Sequence, residues 1–347
     1  MSAARRGADK GPIKRINLAL QGGGAHGAYS WGVLDRLLEH PQIEVDAISG
    51  TSAGAMNAAV LAAGLAEGGN AGARERLTDF WRHVSLIDKF SPVRRTFWEW
   101  LNGGYTLERS PGLAFMETLT RTFSPYQVNP LNFNPLRGIL ENLIDFDTLR
   151  HAQAAKLFIS ATNVVTGRAR IFENAEMTPD VLLASACLPQ MFQAVEIDGE
   201  HYWDGGFMGN PAIYPLIYGV ETQDVVLVQI NPLERHGVPK SARDIQNRIN
   251  EISFNASLMH EMRAIQFVTR LIDEGELDSS NYKRMLIHMI EAEDALEAFG
   301  ASSKLNADWD FLTTLKDVGR DAANNWLDEN FDKVGVESTV NLREQFF

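Results

Sequence analysis

The pentapeptide Gly50-Thr51-Ser52-Ala53-Gly54 sets a serine among small residues where one hydrophobic pattern gives way to another. Ile43, Val45, Ala47 and Ile48 before it predict a short buried strand, and Ala53, Met56, Ala59, Val60 and Ala63 after it recur at helical spacing. A serine on a sharp strand-to-helix turn projects its hydroxyl at the end of a sheet, as a nucleophile must, and Gly50 and Gly54 leave room for that turn. Upstream, an apolar run over residues 16–20 ends in Gly22, Gly23, Gly24, Ala25, His26 and Gly27, after which Ala28, Trp31, Val33, Leu34, Leu37 and Leu38 repeat as a helix. Backbone N–H groups of such a glycine loop at a helix N-terminus can hold an oxyanion beside the serine. The loop also satisfies the Gly-x-Gly-x-x-Gly pattern of dinucleotide sites. That reading wants an acid at the end of the next strand, but Glu44 and Asp46 lie at its start, so no nucleotide cofactor is expected.

A serine hydroxyl needs a base to take its proton. Of the eight histidines, His26 lies in the glycine loop and His201 falls in the hairpin-like segment Gly199-Glu200-His201-Tyr202-Trp203-Asp204-Gly205-Gly206. Two glycines after Asp204 let the chain turn sharply and present the carboxylate. On residue types alone, Asp204 as base competes with a Ser-His-Asp arrangement using His201, His236 or His260.

The three elements in this order, a glycine-rich loop, a Gly-x-Ser-x-Gly elbow and a later Asp-Gly-Gly, resemble the patatin-like phospholipase family. The resemblance spans residues 13–232 and includes the helix end Ala184-Ser185-Ala186-Cys187-Leu188-Pro189. It implies a three-layer α/β fold with a mostly parallel central sheet. It further implies Ser52 as nucleophile, Asp204 as proton acceptor without a catalytic histidine, and an oxyanion hole from Gly22, Gly23, Gly24 and Ala53. His26, Gly27, Gly50, Gly54, Gly205 and Gly206 support these motifs. The implied activity is hydrolysis of phospholipid or related acyl esters with no cofactor and no metal. An acyltransferase, or a non-catalytic regulatory protein on the same fold, shares these motifs. The family carries Arg or Lys where this chain has His26, which predicts a charge there that titrates near neutrality.

The elements that must position these residues divide the 347-residue chain as a basic tail over 1–12, a catalytic unit over 13–239 and a mainly helical, acidic extension over 240–347. Within the unit, residues 67–150 hold 12 of the 32 aromatics and several prolines, predicting an irregular insertion that serves as a lid or apolar groove or packs as a satellite core. Strands are expected over 157–161, 169–172 and 225–230, with a further one within 281–290, and a helix over 179–187 capped by Thr178. Beyond residue 240 an apolar stripe from Ile245 to Ile272 reads as core.

Net charge is −13, of which the first 15 residues carry +4 and the rest −17. This balance speaks against nucleic acid as partner. The basic tail is either solvated or in peripheral contact with anionic lipid. Residues 47–66 are free of charge, yet their pattern changes from strand to helix, so no transmembrane segment is read, nor a signal peptide. Cys187, the single cysteine, agrees with a cytoplasmic setting. Composition leaves the oligomeric state open.

Overall fold

The computed structural model describes residues 11–347 except 89–90, 92, 97–98, 100–103, 236 and 279. Most of the basic tail, together with Phe90, Phe97, Trp98, Trp100 and His236, therefore lies outside the described residues. The first units are β1 (Lys14–Leu20), α1 (Gly27–Glu39), β2 (Ile43–Gly50) and α2 (Ala53–Asp88). Helices α3 (Pro111–Thr122) and α4 (Leu136–Leu143) lead to β3 (Lys156–Asn163), β4 (Ala169–Glu173) and α5 (Pro179–Ser185). The hairpin β5 (Val195–Ile197) and β6 (Glu200–Asp204) precedes β7 (Asp224–Val228), α6 (Ala242–Asp273), β8 (Leu286–Ile290) and α7 (Trp309–Asn330).

The strands form one eight-stranded sheet in the order β5-β6-β3-β2-β1-β7-β8, with β4 also paired to β3. β3, β2, β1, β7 and β8 run parallel, whereas β4 and β6 pair antiparallel to β3. Alternation within the central strands explains the layering. Leu18, Leu20, Val226 and Val228 face one apolar cluster shared with α1, α2 and α7, while Ala19, Val225 and Leu227 face a second shared with α6. A parallel sheet buried on both faces needs helices on each side, which is the α/β three-layer arrangement expected.

Residues after 240 contribute directly to these layers. β8 extends the sheet beside β7, and α7 lies against α1 where Gly32 and Gly319 face backbone of the opposite helix with no space for a Cβ. Asp35 on α1 is bridged by Arg74 at 2.8 Å, by Arg320 and by Lys316. The apolar stripe on α6 is only partly core, a correction to its sequence reading: Leu258, Met262 and Ile265 are buried, but Ile245, Ile249 and Ile252 are exposed by 43%, 50% and 55%. The packed face of α6 instead runs Glu251, Asn255, Leu258, Met262, Ile265, with two polar positions that hydropathy alone discounts. Among the described residues no helix is long and apolar enough to cross a membrane.

Candidate active site

Both glycine-rich turns lie at the carboxyl ends of adjacent parallel strands, since Leu20 of β1 pairs with Gly50 of β2. In open α/β sheets this edge is where ligands bind. At the end of β2, Ser52 adopts φ 56°, the left-handed region that a non-glycine residue enters at a cost of about 1–3 kcal/mol. Helix α2 starts at the next residue. The turn is clamped from several sides. Thr51 Oγ1 donates to the Gly209 carbonyl at 2.7 Å, and the Ser52 N–H donates to Ser185 Oγ at 3.0 Å. Gly54 lies so close to the Leu20 and Gln21 carbonyls that a Cβ would overlap them. Packing that tight holds the strained serine in place.

Asp204 ends β6, which antiparallel pairing brings alongside Ala161 of β3. Its backbone is fixed at both ends: the N–H donates to Cys187 O at 2.8 Å, and the carbonyl accepts from Thr162 Oγ1 at 2.8 Å. The carboxylate accepts from Gly206 N–H at 2.7 Å, an interaction made possible by the turn Gly205-Gly206. Asp204 is 3% exposed. Burial raises its pKa to about 7, against the Gly206 N–H and the Ser52 hydroxyl, which favour the charged form. A buried carboxyl that changes protonation near neutrality, beside a serine hydroxyl, can accept a proton at working pH.

Ser52, Asp204, Gly22, Gly23, Gly24, Ala53 and Gly206 all border one cavity of about 420 Å³. The Gly22 N–H donates to Asn210 Oδ1 at 2.7 Å, so this residue shapes the loop with its donor already engaged. The N–H groups of Gly23, Gly24 and Ala53 have no partner among the described residues. Gln21, Asn210 and Asn231 escaped sequence reasoning. Gln21 Oε1 accepts from the Ile230 and Asn231 N–H groups at 2.8 and 2.9 Å, tying the glycine loop to the segment after β7. They sit in no recognisable pattern, and the adjacency of Gln21 to the glycines is the one signal that could have found it. Part of the aromatic stretch does reach the site, for Phe80, Trp81, Val84 and Leu136 line the cavity, whereas Val93, Leu107 and Leu113 form a separate small core.

His26 does not border this cavity. It is buried, its Nε2 pairs with Ser303 Oγ at 2.7 Å, and its ring meets Phe311 edge-on at 6.0 Å. Burial, aided by nearby Lys304, pushes its pKa down to about 3. The titratable charge expected at this position is thus corrected to a neutral ring that braces the loop. His26→Gln is expected to leave the shape of the pH–rate profile unchanged and to lower stability by about 1 kcal/mol through the lost Ser303 bond. Profiles and thermal melts of the variant check both points. Of the alternative bases, His201 is half exposed beside Glu196 at 4.0 Å, and His260 is exposed on α6. No described histidine lines the cavity.

A family model of patatin-like phospholipases matches residues 18–217. Among solved structures, the chain is similar to VipD from Legionella pneumophila at 16% identity, covering 88% of this chain and 67% of that one, with a TM-score of 0.37. It is also similar to the type III effector protein ExoU at 16% identity, covering 88% of this chain but only 54% of that one, with a TM-score of 0.27. The ExoU–SpcU complex of Pseudomonas aeruginosa gives 19% identity, 96% and 74% coverage, and a TM-score of 0.31. A search of curated proteins finds no match.

Proposed function

The chain belongs to the patatin-like phospholipase family, and from that premise we propose that it is a serine lipid acyl hydrolase working through Ser52 and Asp204. Asp204 takes the proton of the Ser52 hydroxyl as Oγ attacks the ester carbonyl. The N–H groups of Gly23, Gly24 and Ala53 hold the negative charge that develops on the carbonyl oxygen. Collapse of the tetrahedral species expels the alcohol, which leaves with the proton from Asp204, and the acyl group remains on Ser52. Water then attacks this ester, giving its proton to Asp204, and the fatty acid departs as Oγ regains a proton.

The observation that carries this reading is the meeting of a strained serine at the head of α2 with a buried carboxyl of raised pKa in one partly apolar cavity. Digestion of a total lipid extract, with products identified by mass spectrometry, tests it. Free fatty acid and deacylated lipid are expected from the wild type and not from Ser52→Ala; equal products from both would remove the proposal. Because Asp204 must be ionised to act, kcat/KM is expected to rise with pH through about 7 and then level off. Stopped assays between pH 5 and 9 on a soluble ester check the direction, and a rate falling over that range would contradict it.

A further inference from the structure

We propose that Lys304 recognises the substrate's headgroup, selecting acyl esters that carry a negatively charged group over uncharged ones. The inference rests on Ser52 and Asp204 being the hydrolytic pair. The cavity lining mixes two chemistries, apolar side chains such as Met56, Phe80, Trp81 and Val84 and polar ones, Asn231, Asn247, Asn250, Glu251 and Lys304. An amphiphilic ester matches this contrast, with its chain against the first group and its head against the second.

Lys304 is held beside the glycine loop by its surroundings. It lies in the short turn Ala301–Leu305, where Ser303 binds His26 and the Lys304 carbonyl abuts Gly24 so closely that only a glycine fits there. Lys304 Nζ donates to Asn231 Oδ1 at 2.7 Å, and Asn231 Nδ2 in turn donates to the Gly22 carbonyl at 2.8 Å. An ammonium has three donors, and one is engaged among the described residues, which leaves two for a ligand.

The carboxylates near Lys304 have other commitments. The carboxylates lining the cavity are Asp204 and Glu251. Glu251 is buried and committed to Arg235 at 2.6 Å and Arg248 at 3.4 Å. Lys304 is the cation that lines the cavity among the described residues, and with Arg235 and Arg248 behind Glu251 the three cations stand against two carboxylates, Glu251 and Asp204. Burial lowers the proton affinity of Lys304, with Arg235 acting in the same sense and Glu251 opposing. A phosphate or carboxylate placed against Nζ would offset that desolvation with charge-assisted hydrogen bonds.

The test compares 1-octanoylglycerol with 1-octanoylglycerol 3-phosphate, the same acyl ester without and with the anion, each kept below its micellar concentration. The wild type is expected to prefer the phosphorylated ester in kcat/KM. In Lys304→Gln that preference is expected to fall about tenfold or more, chiefly through KM, as loss of a hydrogen bond to a charged group implies. Lys304→Arg is expected to restore part of it. Equal turnover of the two esters by the wild type overturns the proposal whether or not the variants fold, and so does a proportional loss on both esters in Lys304→Gln. Inorganic phosphate separates a headgroup from a free anion: inhibition of the uncharged ester that vanishes in Lys304→Gln, with the ester preference unmoved, would assign Lys304 to a free anion instead. If the wild type cleaves neither ester and Ser52 resists a fluorophosphonate, the hydrolase reading itself fails.

Discussion

Ser52→Ala is expected to lower kcat/KM on any ester the wild type cleaves by about 10⁶-fold, the scale on which serine nucleophiles fail when removed. The substitution deletes one oxygen and keeps the Cβ, so the strained turn, the N–H groups of Gly23, Gly24 and Ala53, and the cavity stay in place. Thr51 and the backbone of residue 52 retain their bonds to Gly209 and Ser185, because these use the Thr51 hydroxyl and a main-chain N–H. The lost bond is the one from the Ser52 hydroxyl to Asp204, so stability should change by about 1 kcal/mol, the net worth of a single hydrogen bond. Kinetics on a chromogenic ester together with a thermal melt test the pair of outcomes. Retained turnover in Ser52→Ala would mean that another group attacks.

Asp204→Asn is expected to lower kcat/KM by about 10⁴-fold, comparable with the loss seen when a carboxylate of a hydrolytic triad is made an amide. Asparagine has nearly the same shape, and its carbonyl oxygen can still accept from Gly206 N–H, but it cannot take a proton from Ser52. The same variant should be more stable than the wild type at neutral pH. An unfolded aspartate ionises near 3.8, whereas the buried one holds its proton to about 7, so between those values the native state binds the proton more tightly. Native stability therefore declines as pH rises through that window, by at most about 4 kcal/mol at 1.36 kcal/mol per unit. Asparagine carries no such penalty. Melts at pH 8 should place Asp204→Asn above the wild type, and melts below pH 4 should bring the two together.

Much of this site was legible because its chemistry depends on local sequence. A serine in the left-handed region between a strand and a helix needs small residues on both sides, and Gly50, Ala53 and Gly54 announce it. Asp204 was legible for the same reason: the turn that lets its carboxylate accept from Gly206 N–H requires glycine. The strands β1, β2, β3 and β7 show as apolar runs because both faces of a central parallel strand are buried. What escaped depends on distant packing. The neutrality of His26 follows from Phe311, Ser303 and Lys304, nearly 300 residues along the chain, and nothing local to the loop records it. The exposed isoleucines of α6 misled the periodicity because the helix turns a different face to the core, one that carries Glu251 and Asn255. Lys304 was invisible as a site residue for a like reason, since only the folded chain brings its turn to Gly24.

The most direct test of the Ser52–Asp204 account is the rate at which a fluorophosphonate captures Ser52, measured against pH in the wild type and in Asp204→Asn. The account predicts a wild-type rate that rises through a single ionisation near pH 7, and in the variant a rate that is slow and flat over the same range. Capture of Ser52 in Asp204→Asn at the wild-type rate, with the same pH dependence, would show that another group takes the serine proton.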